Sequence, residues 1–170
     1  MRLAKIKSAD KMFELKLQEL YDIEKHIEKA LSKMVHKAST PLLKEGFSTH
    51  LEETRGQIER LLQVFELLQL KPKKLRSEGI RGIIIDGETV ADLSATGEIK
   101  DSMLASAARY VEHYEIAGYL SAIAQAKLLG LTHVEELLCQ TLKEEEMTDK
   151  KLAQISNELT NSVTTSEETV

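Results

Sequence analysis

Apolar residues recur every three or four positions in two long segments before residue 70. In the first segment this stripe comprises Phe13, Leu17, Leu20, Ile27, Leu31 and Val35. Such spacing places the apolar side chains on one face of a helix, where they can pack against a core. Ser8 is a suitable N-cap, so the pattern predicts a helix from Ala9 to Ala38.

The second segment opens with a recognisable helix start. Thr40 can accept hydrogen bonds from the free N–H groups of a first turn, and Pro41 suits the first helical position, where its missing N–H is not needed. The inner face is formed by Phe47, Leu51, Thr54, Ile58, Leu61, Phe65 and Leu68. Pro72 disfavours helical backbone at Lys71, so the helix is predicted to end near Leu70.

The pattern changes over residues 71–97, which hold one proline and four of the chain's eight glycines. The isoleucine-rich stretch 80–93 favours a short helix that lies across the larger helices. A strand through Ile83–Ile85 is the alternative. We prefer the helix, because a lone run of three β-branched residues has no partner strand elsewhere in the chain.

Two further long helices are predicted over residues 97–129 and 132–159, with Gly130 as the C-cap between them. Their inner faces are Leu104, Ala108, Val111, Ala122 and Leu129 in the one and Val134, Leu138, Thr141, Leu152 and Ile155 in the other. The last residues, 161–170, are rich in Ser, Thr and Glu, and we expect them to be disordered.

The lengths of the connections predict the architecture. Short links make the first and second helices antiparallel neighbours, and likewise the third and fourth. The link of 27 residues between the two pairs can travel the length of a helix. The predicted fold is therefore all-α, a ferritin-like four-helix bundle over residues 1–160 with a long crossover that carries a short extra helix.

Composition limits the cellular compartment and the binding partners that we expect for this protein. A net charge of −5 argues against nucleic-acid binding over a broad basic surface. Apolar runs long enough for a secretory signal or a membrane span are missing from the sequence, so no membrane partner is expected. The single cysteine, Cys139, cannot form an internal disulfide, which fits the reducing cytoplasm.

Acidic residues interrupt the apolar stripes near the middle of each long helix. Glu24, Glu115 and Glu145 stand where the first, third and fourth stripes require an apolar residue. Two of them have a second acid one turn away: Glu112 precedes Glu115, and Asp149 follows Glu145. In the second helix His50, Glu53 and Gln57 share a face beside the stripe.

Inward carboxylates at similar heights in four helices favour a metal centre. An ionised carboxylate in a core costs several kcal/mol unless it is paired or bound to metal. The matching inward positions hold no lysine or arginine that could neutralise these acids. The candidate ligands are Glu24, Glu53, Glu112, Glu115, Glu145, Asp149 and His50. Dinuclear iron suits oxygen donors with some imidazole, and manganese or another divalent metal is the alternative.

The candidate set departs from the usual di-iron pattern, which has Glu-x-x-His in two of four helices. His50 and Glu53 occur in the reverse order, and the companion of Glu145 is Asp149. The site would be richer in carboxylates than usual, with at most one histidine. His50 could instead orient a ligand from outside the metal's coordination sphere. Tyr119, one turn after Glu115, could hydrogen-bond a ligand.

Four segments of the chain resemble the YciE/YciF-type bacterial stress proteins. They are residues 20–25, residues 50–60, residues 111–117, and Glu144-Glu145 followed by Thr148-Asp149. The resemblance extends from about residue 10 to residue 155. It implies a ferritin-like bundle, often dimeric, with a role in the general stress response.

Two hypotheses for function follow. The first is a ferritin-like stress protein whose dinuclear metal site handles iron or reactive oxygen species. The second is a non-enzymatic structural or interaction protein in which the same acids bind a structural ion or share protons. In either case we expect a homodimer, because the stretch 80–93 leaves an isoleucine-rich side to cover.

Overall fold

The computed structural model describes residues 8–95 and 97–167, which form helices and their links without any strand. Five helices make up this part of the chain: α1 (Ala9–Lys37), α2 (Pro41–Leu67), α3 (Glu78–Ala91), α4 (Gly97–Leu128) and α5 (Thr132–Glu167). The predicted helix at 80–93 is therefore confirmed as α3, and the alternative strand at 83–85 is wrong. None of the described helices is long and apolar enough to cross a membrane.

The helix ends use the capping residues that the sequence offers. The hydroxyl of Ser8 accepts from the Lys11 N–H at 3.2 Å, and that of Thr40 accepts from the Leu43 N–H at 3.3 Å. These contacts satisfy N–H groups that have no partner within the first helical turn. After α4 the chain reverses through Gly130, whose φ of +70° is a left-handed conformation that glycine adopts without strain.

A buried carboxylate joins the turn between α1 and α2 to the start of α4. Asp101 accepts hydrogen bonds from the backbone N–H of Ser39 at 2.9 Å and of Thr40 at 2.6 Å. It also accepts from the Thr40 hydroxyl at 2.8 Å. The Asp101 side chain is fully buried, so these contacts fix the α1–α2 turn against α4.

The four long helices form a closed cycle in which α1 contacts α2, α2 contacts α5, α5 contacts α4, and α4 contacts α1. Along the seam between α2 and α5 the two helices run antiparallel. The start of α2 meets the end of α5 near Gly46 and Ile155, and its later part meets the start of α5, where Arg60 bonds to Thr141 at 2.6 Å. Apolar residues of all four helices fill the interior, so each helix buries its stripe against two neighbours.

The link between α2 and α4 runs alongside α1. Three contacts mark its course: the Ser77 N–H to Asp22 at 3.2 Å, Lys33 to Glu88 at 2.8 Å, and Lys37 to Asp92 at 2.7 Å. Each contact pairs residues 55 positions apart, so α3 lies parallel to α1. The long link therefore carries the chain back along the length of the molecule and packs α3 on α1 and α4.

The C-terminal helix is longer than the sequence predicts. It continues to Glu167, whereas we expected an end near Leu159 and disorder over residues 161–170. Leu159 is buried, and the Thr160 hydroxyl lies 2.7 Å from that of Ser102 on α4. Packing on α4 thus stabilises a helix end whose composition alone favours disorder. The disorder prediction is corrected as far as Glu167, and residues 168–170 lie outside the described part.

Replacement of Asp101 by Ala should destabilise the protein by about 3 kcal/mol, because it leaves buried N–H groups of the α1–α2 turn without an acceptor. The free energy of unfolding in urea measures this. Asp92→Ala is the control, since Asp92 is exposed and pairs only with Lys37 at the surface. Equal stability of the two variants would contradict the role assigned to Asp101.

Candidate metal centre

One histidine and three glutamates meet in the interior at the middle of the long helices. His50 comes from α2, Glu112 and Glu115 from α4, and Glu145 from α5. One ligand atom from each of the four lies within 4.8 Å of the others. All four side chains are buried, with at most 2% of their surface exposed. Since each ligand comes from a face that otherwise holds core residues, the helix stripes themselves bring the four together.

The polar atoms of this cluster lack hydrogen-bond partners. Both ring nitrogens of His50 and both carboxyl oxygens of Glu112, Glu115 and Glu145 are buried and unpaired. His50 Nε2 lies 3.6 Å from Glu112 Oε1. Buried polar atoms are nearly always satisfied, and each one that is not costs about 1–3 kcal/mol. Such a concentration of orphaned ligand atoms is what a cation in the centre of the cluster would remove.

Glu24 of α1 stands beside the cluster and is fully buried. One of its oxygens accepts a short hydrogen bond from the Tyr119 hydroxyl of α4, and the other has no partner. The sequence suggested that Tyr119 could hydrogen-bond a ligand, and in the structure its partner is Glu24, one of the predicted ligands. Tyr119 therefore orients Glu24 and leaves one carboxyl oxygen free for another group.

Burial strongly disfavours charge at these acids. It raises the pKa of Glu24, Glu112 and Glu115 well above the usual range, and the neighbouring Glu145 carboxyl raises each of them further. Burial also raises the pKa of Glu145 to about 8. In the absence of a cation the site therefore retains protons at neutral pH.

Burial also disfavours the charged form of the histidine, and this lowers its pKa. Burial, together with the positive charge of Lys151, lowers the pKa of His50 to about 4. The imidazole is therefore neutral at physiological pH. A neutral imidazole has the free lone pair that a metal ion needs.

Two of the predicted ligands lie at the edge of the cluster. Glu53 is half-buried and accepts from the Thr148 hydroxyl at 3.2 Å, and its charge raises the pKa of Glu145. Asp149 is paired with Arg109 at 2.7 Å and lies 3.4 Å from His113. Four successive residues on a helix turn through roughly 400°, so Asp149 is rotated about 40° from the direction of Glu145. In the structure Asp149 pairs with Arg109 of α4 and is not one of the four clustered groups.

Sequence reasoning overlooked a cation near the site. Arg60 of α2 forms a bidentate pair with Glu144 at 2.8 and 3.0 Å, and its positive charge lowers the pKa of Glu24 and Glu145. The sequence had suggested that no arginine faces the acids. The available signal was spacing, because Arg60 follows Gln57 by three residues and so shares the face that carries His50 and Glu53.

The donor set suits a hard or borderline divalent ion. It offers carboxylate oxygens and a single imidazole, which favour iron or manganese. The only cysteine, Cys139, is exposed, and it is not among the residues of the cluster. Both a bound cation and a network of shared protons would neutralise the acids, but only a cation would give the His50 nitrogens and the carboxyl oxygens a common partner.

Comparison with solved structures identifies close relatives. The Escherichia coli stress protein YciF has a crystal structure that matches with a TM-score of 0.88 and 37% identity, over 92% of this chain and 99% of that one. YcfI from Rhodopseudomonas palustris, which carries only a provisional description as a structural protein, matches with a TM-score of 0.84 and 36% identity, over 90% and 98% of the two chains. A protein of Xanthomonas campestris pv. campestris shares the fold at 20% identity and a TM-score of 0.72, over 95% and 99%.

Sequence comparison leads to the same group. The chain is 38% identical to YciF of Escherichia coli K12 over 152 residues, which covers 89% of this chain and 92% of that protein. The family model described as "Domain of unknown function (DUF892)" matches residues 8–165. The resemblance seen in the sequence motifs is thereby confirmed, and the chain belongs to the DUF892 family, with the stress protein YciF as a relative.

Proposed function

We propose that this chain is a ferritin-like four-helix bundle that binds a dinuclear metal centre, with iron as the metal, and handles iron or reactive oxygen species under stress. The observation that carries the proposal is the buried cluster of His50, Glu112, Glu115 and Glu145, whose ligand atoms lie within 4.8 Å of one another without hydrogen-bond partners. Support for the stress context comes from the relative YciF, which is described as a stress protein.

The four clustered groups are sufficient for one ion, and the flanking acids extend the site to two. Glu24 offers an unpaired oxygen, and Glu53 lies close enough to raise the pKa of Glu145. A second divalent ion would add the positive charge that so many buried carboxylates require. Manganese or another divalent metal would use the same donors.

The protein's own residues would prepare the site for this chemistry. Bound iron would supply one-electron steps between the ferrous and ferric states. Tyr119 holds one oxygen of Glu24, which leaves the other oxygen free to bind. Burial keeps His50 neutral and excludes water from the cluster. Arg60 and Glu144 form a partly buried ion pair beside the acids.

A second candidate function is a structural or interaction protein in which the ion is held without turnover. The provisional description of YcfI as a structural protein favours it. Both functions need the same ligands, so ligand variants do not separate them. The two functions are separated by whether bound Fe(II) is oxidised in air faster than Fe(II) in buffer.

We further propose that the protein acts as a homodimer in the cytoplasm, without nucleic acid or membrane as partners. Ile85 of α3 and Tyr110 of α4 are 59% and 68% exposed. A second copy would cover these side chains. Light scattering measures the assembly, and a dimer would also exclude iron storage, which needs a large hollow shell. A monomer at micromolar concentration would contradict the dimer.

Replacement of Glu145 by Gln should weaken Fe(II) binding at least about tenfold, because even residues outside a metal's coordination sphere are worth 10–100-fold in affinity. Anaerobic titration with Fe(II) measures this, with Glu146→Gln as the matched control because Glu146 is the exposed neighbour. Wild-type protein that retains fewer than about 0.2 ions per chain after iron or manganese supplementation would contradict the proposal, because a folded site of this kind should bind stoichiometrically.

Exposure of the Fe(II)-loaded protein to air should produce Fe(III) faster than in a protein-free buffer. Absorbance in the near ultraviolet follows the reaction, and the Glu145→Gln variant should fall back to the buffer rate. Oxidation of wild-type protein at the buffer rate, despite bound iron, would favour the structural function instead.

The stability of the metal-free protein should fall between pH 7 and pH 9. The buried acids have raised pKa values, about 8 for Glu145, so their contribution is present at low pH and is lost as they ionise. The pKa of His50 is lowered, so this residue adds no pH dependence to the stability above its ordinary pKa of 6.5. Urea unfolding across this range measures the effect, and Glu145→Gln should flatten it.

The stability of the metal-loaded protein should instead rise with pH over this range, since protons compete with the metal for the carboxylates. Glu146→Gln is the control for both forms and should behave as wild type. A metal-free protein whose stability rises from pH 7 to pH 9 would contradict the protonated state of the site.

A further inference from the structure

A small apolar cavity lies between α3 and the candidate metal centre. Its volume is about 50 Å³. Ile83, Ile84 and Gly87 of α3 form one wall, and His50 and Glu112 are among the lining residues. These two are the polar members of a lining that is otherwise entirely apolar. The cavity therefore connects the apolar inner side of α3 with two of the proposed ligands.

The lining shows which helices enclose the cavity. Helix α3 packs on α1 and α4, whereas His50 and Phe47 belong to α2, on the other side of the α1–α4 seam. At the seam the walls are formed in part by Ala30 of α1 and by Ala107 and Ala108 of α4. Alanines leave space where larger side chains would close the seam, so the cavity extends from beneath α3 toward the cluster.

The chemistry of the lining limits what can occupy it. The volume exceeds the roughly 10–15 Å³ that a water molecule needs, but a buried water also needs two to four polar partners. Apolar cavities stay dry and accept apolar guests such as xenon. Hydrogen peroxide and hydrated metal ions would lose hydrogen bonds along the apolar walls, because His50 and Glu112 offer polar partners only at one end of the cavity. Dioxygen is small and apolar, and it loses none.

We propose that this cavity, defined by α3, the α1–α4 seam and His50, is a binding and entry site for dioxygen. The effect of this cavity on the oxidation of bound iron rests on the proposed function. Two ferrous ions at the site would each lose one electron, and dioxygen would take up the two electrons and two protons to give hydrogen peroxide. The oxidant that arrives through the cavity is therefore dioxygen, while peroxide reaches the site from elsewhere.

Binding can be tested on the metal-free protein, which keeps the test independent of iron. Methyl signals of Ile27, Met34 and Ile84, which line the cavity, should shift when xenon is dissolved. The same signals should relax faster under dioxygen than under argon, because dioxygen is paramagnetic. Methyls on the outer surface, such as those of Leu128, which is 72% exposed, serve as the reference for non-specific contact.

A filled cavity provides the matched comparison. An added Cβ at Gly87 meets no atom within 4 Å, so Gly87→Leu has room for a larger side chain at the cavity wall. Gly82→Leu is the control, because Gly82 lies on the same helix, has equal space and does not line the cavity. Ala108→Met narrows the cavity from the α4 side. Because Ala108 lies on a different helix from Gly87, an equal effect of the two variants would not be due to a local change in α3.

Gly87→Leu and Ala108→Met should reduce the xenon-induced shifts at least about tenfold, as expected when a preformed apolar cavity is filled. Gly82→Leu should retain them. Wild-type shifts confined to surface methyls, or equal shifts in Gly87→Leu and Gly82→Leu, would overturn the inference. Water signals that cross-relax with the Ile27 and Ile84 methyls would overturn it as well, because they would show a hydrated cavity.

The Fe(II)-loaded protein then tests the consequence. Gly87→Leu should slow oxidation by dioxygen by at least about fivefold, a barrier increase of roughly 1 kcal/mol, and leave oxidation by hydrogen peroxide within about twofold. Equal rates with dioxygen for Gly87→Leu and Gly82→Leu would overturn the entry role. Xenon binding without iron binding would support the cavity and contradict the proposed function, so the two failures are distinguishable.

Discussion

The buried carboxylates dominate the physics of this protein. Glu24, Glu112, Glu115 and Glu145 lie among leucines and isoleucines, and desolvation penalises their charged forms. The interior must therefore hold either protons or cations. The contacts described above bring these acids together, orient them and limit what reaches them.

Contacts between helices set the positions of the acids, because the site residues come from four different helices. Asp101 fixes the α1–α2 turn against α4. The hydrogen bond from Tyr119 to Glu24 joins α1 to α4, and the pair of Arg60 with Glu144 joins α2 to α5. A slip of one helix by a single turn would move its ligand by about 5 Å, which is more than the spacing of the clustered atoms. These contacts between helices thus decide whether the site exists.

The surroundings of the site differ between its two sides. Along the α2–α5 seam the neighbours are polar, with Gln57 and Arg60 on Glu144, and Thr148 on Glu53. Toward α3 the neighbours are mostly apolar and leave a small cavity. A charged ion gains more from the polar side and an apolar gas from the other. The crossover helix α3, which a simple up-down bundle would not need, forms the outer wall of the apolar side.

Local pattern alone determined the helices and most of the buried acids. The stripes predicted all five described helices, the caps at Ser8 and Thr40, and the reversal at Gly130. They also predicted Glu24, Glu115 and Glu145 as inward residues, since a helix repeats its faces every 3.6 residues. The motifs were long enough to identify the family.

Only the tertiary structure decided which of these groups share a site, because that depends on distances between helices. It brought His50 into the cluster with three glutamates, turned Asp149 to Arg109, and placed Arg60 beside the acids. It also holds α5 against α4 as far as Thr160, and the helix continues to Glu167, where composition had indicated disorder. The cavity beneath α3 has no signal in the sequence, since a void is defined by residues of four helices at once.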